Sequence, residues 1–244
     1  SFAGPGQFFH TTERTGSNMR PFIIMNGEKI DWFHTVIRML MYLAGVAVLA
    51  LGMSLQTASG LGVAALTCFA TTLSMLTGKT LGFWITATYV AYIVAQFTIL
   101  RREFQPRILL KLCFSTLIGG FTDFFMAVNP LHPAALPIQV ETMLLSLAVT
   151  AFGVSLVVNM GVVPNAPDDL VQVIAEKIKR RFGDVKVVFD CSHVAVSLVL
   201  SLALMHNLGG FGVTTAISAL FLGHVISIAN KLFAQRFVRA AFGK

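Results

Sequence analysis

TMLLSLAVTAFGVSLVVNMGVVPNA, residues 142–166, contains no formally charged side chain. A surface helix of a soluble domain shows a polar face to water, so a run of this length does not suit one. It exceeds the ~20 apolar residues that a helix needs to cross a bilayer. It does not alternate every second residue over about ten positions, as a strand of a membrane barrel does. The stretch therefore predicts a helix in lipid. Trp84–Leu100 repeats the pattern, again with no formal charge.

The whole chain agrees. Of its 244 residues, 55% are hydrophobic and 12% charged, whereas soluble domains carry about 25% charged residues. The net charge of +7 would invite a nucleic-acid reading in a soluble protein. Here the basic residues gather at the ends of apolar runs, where cytoplasmic loops of membrane proteins keep them, and no nucleic-acid partner is expected. Cys68, Cys113 and Cys191 all fall in apolar segments and match no zinc spacing, so they read as small apolar side chains. Neither a metal nor a cofactor is expected.

The apolar runs are Trp32–Gln56, Leu81–Leu100, Ile108–Val128, Ile138–Val163, Val185–Met205 and Val213–Phe233. Leu61–Leu76 is short for a span. Asp168–Phe182 reads as a helix, with Pro167 and the Asp168-Asp169 pair suited to its first turn and Leu170, Ile174, Ile178 and Phe182 four apart on one face. Glu176, Lys177, Lys179, Arg180 and Arg181 keep it from spanning a membrane, since each charge at the bilayer centre costs roughly 2.5–3.5 kcal/mol. Loop charges set the topology. Arg14, Arg20 and Lys29, then Arg101, Arg102 and Arg107, then Lys177–Lys186, then Lys231–Lys244 fall on one side if six runs span and both ends are cytoplasmic. Counting Leu61–Leu76 as a span would separate them. The expected organisation is a polar cytoplasmic tail (1–31), a first membrane repeat (32–128), a second (138–233) and a basic C-terminal tail (234–244).

The two repeats show in the sequence. Ala50-Leu51-Gly52-Met53-Ser54-Leu55 resembles Ala151-Phe152-Gly153-Val154-Ser155-Leu156, and Gly60 matches Gly161 at the same offset. Each half reads span, short helix, a glycine (Gly78, Gly183), span, span. Three spans are an odd number, so the second half inserts upside down. The expected fold is all-α: a polytopic membrane helix bundle of six spans plus two short half-length or interfacial helices, in two inverted-topology repeats. Many secondary transporters share that design.

Gly60-Leu61-Gly62-Val63-Ala64-Ala65-Leu66, Leu73-Ser74, Thr77-Gly78, Gly82-Phe83-Trp84 and Ile118-Gly119-Gly120-Phe121-Thr122-Asp123 carry a further likeness. So do Pro164-Asn165-Ala166-Pro167-Asp168-Asp169-Leu170, Phe182-Gly183 and Gly209-Gly210-Phe211-Gly212-Val213-Thr214-Thr215 leading to Leu222-Gly223. Together, over roughly residues 35–233, the chain resembles the YczE/YitT-like family of bacterial integral membrane proteins. The resemblance implies a duplicated helical membrane fold in the bacterial cytoplasmic (inner) membrane. The chain departs from that family at Thr67, where an acidic residue is common, at Thr214, where Gly is common, and at His224, where Pro is common.

Ionisable groups within spans are costly and mark candidate sites. Asp123, the Asp190 and His193 pair one turn apart, and His224 beside Gly223 are such groups. Asp168 and Asp169 open the second short helix; Asn159 precedes it as Gln56 precedes the first. These eight residues are the candidates for a substrate or ion path. Asp190 has two competing partners, His193 and Lys186. No nucleophile motif, metal signature or phosphate loop appears, so no enzymatic activity is expected. Two functions fit: a secondary transporter or permease for a small polar solute, or a membrane subunit that docks a partner protein through the polar N-terminal tail.

Overall fold

The computed structural model describes residues 32–100, 110–129, 131, 133–163, 165–206 and 210–242. The expected cytoplasmic tail (1–31), the basic connection 101–109 and the His224 side chain lie outside the described residues. Every regular element described is an α-helix: α1 (Trp32–Ser59), α2 (Ala65–Thr77), α3 (Leu81–Leu100), α4 (Leu110–Val128), α5 (Leu136–Met160), α6 (Ala166–Lys177), α7 (Phe182–Met205) and α8 (Val213–Phe242). Five are long and apolar enough to cross a bilayer: Thr35–Ser59 within α1, then α3, α4, α5 and α7. The chain is thus a multi-pass membrane protein. Leu40, Phe83, Phe97, Phe124, Leu144 and Val199 stand exposed on these helices, as they should where lipid is the solvent.

The two short helices form within the segments that the sequence marks, with shifted ends: α2 starts at Ala65 rather than Leu61 because Gly60 and Gly62 hold the preceding backbone at positive φ, and α6 starts at Ala166. α6 ends at Lys177, and Phe182 opens α7 instead of closing α6. The reason is local: Lys179 adopts φ 54°, a left-handed conformation that ends a helix. Ile178 is correspondingly exposed, while Leu170, Val171 and Ala175 are buried.

Element boundaries recur at one spacing. α1 ends at Ser59 and α5 at Met160; α2 begins at Ala65 and α6 at Ala166; α3 begins at Leu81 and α7 at Phe182. Left-handed residues recur with them: Gly60 and Gly161, then Gly78 and Lys179. The counterpart of Gly78 is therefore Lys179. Gly183, which sequence alone matched to it, lies one residue inside α7.

α1 and α5 pack along their length and run antiparallel. Gly45 lies against Val157, Leu49 against Gly153 and Gly52 against Thr150. The contact is reciprocal, since Gly52 is to Gly153 as Leu49 is to Thr150. Ala50 and Ala151, at its centre, have no exposed surface. A Cβ on Gly153 would stand 2.6 Å from the Leu49 backbone nitrogen, and one on Gly52 2.8 Å from that of Thr150. Such contacts are shorter than any side chain tolerates, so the crossing requires glycine on both sides. Close approach through small residues is the general way that helices associate in lipid, where apolar burial supplies no drive.

α3 packs on α4, and α2 and α6 sit between α3 and α7. Their ends are tied by polar side chains. Arg38 of α1 donates from Nε to the Met160 carbonyl at 2.6 Å and from Nη2 to that of Gly161 at 3.2 Å. Both carbonyls stand at the end of α5, where the helix has no partners of its own to offer. At the other end of α1, Gly60-Leu61-Gly62-Val63 pairs with Gly210-Phe211-Gly212: Val63 N–H donates to Gly210 O at 3.1 Å and Thr214 N–H to Leu61 O at 2.9 Å. This extended pairing satisfies backbone that no helix serves.

Candidate functional site

The charges buried in this bundle converge at the start of α6. Its helix begins after Asn165, with Pro167 in the first turn and no backbone donor lost. Asp168 and Asp169 follow in that turn, where a helix N-terminus favours negative charge. Each meets a lysine from a neighbouring candidate span. Asp169 forms an ion pair with Lys111, the second residue of α4. The Lys111 side chain is 4% exposed and also donates to Gln96 Oε1 at 2.8 Å. Gln96, fully buried on α3, donates in turn to the Ala166 carbonyl at 3.0 Å. Thus α3, α4 and α6 are joined by one polar chain with each end satisfied.

Asp168 takes a different cation. Its Oδ1 lies 2.9 Å from Lys186 Nζ on α7, and its Oδ2 accepts from Asn165 Nδ2 at 3.0 Å. Lys186 also lies 3.1 Å from Asp190 Oδ1, one turn along α7. Of the two partners that the sequence offered Asp190, the contact is made with Lys186. His193 bonds elsewhere: Nδ1 to the Phe189 carbonyl at 2.8 Å and Nε2 to Tyr92 OH at 2.6 Å. A carbonyl only accepts, so Nδ1 carries the hydrogen. In the tautomer with hydrogen on Nδ1 alone, Nε2 accepts from the tyrosine hydroxyl. Phe69, Phe189 and Tyr92 surround the imidazole. Tyr92 and His193 stand near the middles of α3 and α7 and differ by the same spacing that relates the element boundaries.

The other sequence candidates fall outside this cluster. Asp123 Oδ1 accepts from the Gly82 N–H at 2.7 Å. That N–H is one of the unpaired donors in the first turn of α3, so Asp123 caps a helix. Gln56 has no exposed surface. Its Oε1 accepts from the Ala64 N–H at 3.1 Å and its amide donates to Thr150 at 3.4 Å, which fixes the start of α2. Asn159 donates back to Ser155 O at 2.7 Å within α5.

Sequence reasoning passed over Lys111, Gln96 and Tyr92. A signal existed for Lys111: it is a lone cation inside the run Ile108–Val128, and a charge there needs a partner. None distinguishes Gln96 or Tyr92 from ordinary interior polar residues. The described residues hold no group of three or more His, Cys, Asp or Glu disposed to bind a metal ion. What the cluster offers chemically is paired charge at the junction of four helices, with an aromatic-lined histidine beside it.

A family model described as "Family of unknown function (DUF6198)" matches residues 36–231. No curated protein and no solved structure matches the chain.

Proposed function

We propose that this chain, which belongs to the DUF6198 family, is a secondary transporter or permease for a small polar solute. In this reading α8 is the sixth span, and the two halves are inverted-topology repeats. Both termini face the cytoplasm of a bacterium, and the YczE/YitT-like proteins are its relatives. No enzymatic step is involved. The likeness rests on the glycine and Asn-Ala-Pro-Asp-Asp motifs, and the inverted relation on the antiparallel, reciprocal crossing of α1 and α5.

One observation carries the transport reading. A helix too short to span, α6, opens on two aspartates that meet Lys111 and Lys186 from two candidate spans. Holding four helices together does not require charge, because a buried ion pair is often no more stabilising than apolar residues of similar volume. Ionisable groups retained within spans instead suit the path of a polar solute. Discontinuous helices whose N-termini end inside the protein are the usual place for such a path.

The test is flux. Protein reconstituted in liposomes should move a labelled polar solute from a panel of amino acids, amines and small organic acids. The triple variant Asp168→Asn/Lys186→Met/Asp190→Asn, which strands no charge, should insert and unfold cooperatively but lose that flux. Equal leak from protein-containing and empty vesicles for the whole panel would overturn the reading. It would favour a membrane subunit that docks a partner through residues 1–31.

A further inference from the structure

α8 carries no acidic residue anywhere along Val213–Phe242. Its Lys and Arg residues begin at Lys231 and continue with Arg236, Arg239 and, past the helix, Lys244. Lys231 stands about 27 Å along α8 from Val213, at ~1.5 Å per residue. With α8 as a span, that brings it to the edge of the ~30 Å hydrocarbon layer. Its side chain is exposed, and no carboxylate among the described residues pairs with it. A lysine on a lipid-facing surface lays its stem along apolar groups and turns its ammonium to the headgroups.

Beside Lys231 the surface is concave. α1, α5 and α8 enclose a groove of about 380 Å³, whose walls include Val48 of α1, Ala148 and Phe152 of α5, and Ile228, Leu232 and Phe233 of α8. Every residue that lines it is apolar. Phe152 and Phe233 meet edge to face there, with ring centroids 5.3 Å apart. Ala148, Ile228 and Leu232 are exposed, so the groove opens outward, to lipid. Ile228 and Leu232 are one turn apart, and Arg236 and Arg239 follow at the next one-turn steps of α8. An apolar hollow thus leads into a run of cations. A phospholipid has the matching order, an acyl chain and then a phosphate. A two-fold-related second copy seated on this face would instead set its own α8 cations against these, like charge against like.

We infer that this groove binds one anionic phospholipid, with an acyl chain along Ala148, Ile228 and Leu232 and the headgroup phosphate at the Lys231 ammonium. The groove accepts the chain of any phospholipid, and Lys231 selects the one with net negative charge. Basic residues at the membrane surface attract anionic lipid in this way, each by roughly fivefold. The bound lipid bridges α8 to α1 and α5, and a ligand that binds only the folded state raises its stability. This goes beyond the transport reading. It needs α8 in the membrane, and it holds whether or not a solute moves.

Native mass spectrometry of the purified full-length chain in detergent tests this. The probes are dioleoylphosphatidylglycerol and dioleoylphosphatidylcholine, which share their acyl chains and differ in net charge. The first lipid adduct should form with phosphatidylglycerol at roughly one-fifth the concentration needed for phosphatidylcholine or less, and phosphatidylglycerol should raise the melting temperature more. Lys231→Gln should remove that preference and leave the phosphatidylcholine adduct as it was. Ala148→Trp fills the groove from an exposed position, so the chain should still unfold cooperatively, and the first adduct of both lipids should weaken. Equal retention of the two lipids by the wild type overturns the inference. So does a phosphatidylglycerol preference that Lys231→Gln leaves unchanged, because the charge is then read elsewhere. Binding that survives Ala148→Trp overturns it too. So do dimers in the wild-type spectrum that Ala148→Trp abolishes, since the groove is then covered by a second copy.

Discussion

α2 and α6 begin and end at corresponding places in the two halves of the chain, yet their chemistry is opposite. Both follow a left-handed glycine, Gly60 or Gly161, and both stop before a left-handed residue, Gly78 or Lys179. Both sit between α3 and α7. Where α6 has Asp168 and Asp169, however, α2 has Thr67 and Cys68, and where α7 has Lys186, α3 has Ile85. The α2 side is closed by neutral hydrogen bonds. Thr67 and Thr71 bond their hydroxyls to carbonyls of their own helix or its approach, and Gln56 holds the loop. The shared geometry shows that the short helices need no charge in order to form. The charge on α6 is an addition to the frame.

The additions can be removed one at a time. The largest effect is expected at Lys111. Lys111→Ala leaves the Asp169 carboxylate and the Gln96 carbonyl without their cation, and breaking a buried pair from one side costs about 3–5 kcal/mol. The melting temperature in detergent should fall well below that of the wild type. Lys111→Ala/Asp169→Ala should recover much of the loss, because the stranded charge is gone. If the single and double variants melt together, the pair is not what joins α4 to α6.

The reverse experiment builds the charge into the neutral side. Thr67→Asp puts a carboxylate at the place on α2 that corresponds to Asp168, with Ile85 where a lysine would be needed. Its expected cost is about 2.5–3.5 kcal/mol, the order for an unpaired charge within a span. Adding Ile85→Lys should restore part of that stability by recreating the contact that Lys186 makes. A double variant less stable than Thr67→Asp alone would show that the two sides differ in backbone geometry as well as in side chains.

This difference explains which parts were legible beforehand. Gly52 and Gly153 announce the repeat because a close helix crossing admits nothing larger, and that constraint acts at single positions that sequence displays. Apolar run lengths located the helices for the same reason: the thickness of a bilayer is fixed. Partner choice was not legible. Asp190 had a lysine four residues before it and a histidine three after, and both spacings put a partner on its face of the helix. What decided was α6 bringing Asp168 to Lys186, which no local pattern encodes. Lys111 was passed over because a lysine near the end of an apolar run ordinarily reaches outward to water. Here it is turned inward. Lys179 was missed as the counterpart of Gly78 because a lysine rarely takes a left-handed conformation.

The smallest expected effect lies where α3 and α7 meet near their middles. Tyr92 and His193 occupy corresponding positions in the two halves, and each is the other's hydrogen-bond partner at 2.6 Å. Tyr92→Phe keeps the ring and its contacts with Phe189 and His193 and removes only the hydroxyl. The cost should be about 1 kcal/mol, the net worth of one neutral hydrogen bond, with Nε2 of His193 left without a donor. His193→Phe removes the acceptor and the unsatisfied nitrogen together. If the bond is the whole of the interaction, the double variant should be no less stable than His193→Phe alone, since the hydroxyl has by then lost its partner. If the two losses instead add fully, Tyr92 and His193 stabilise the bundle through separate contacts, and the meeting of α3 and α7 at corresponding residues follows from the packing of the short helices between them rather than from a bond of its own.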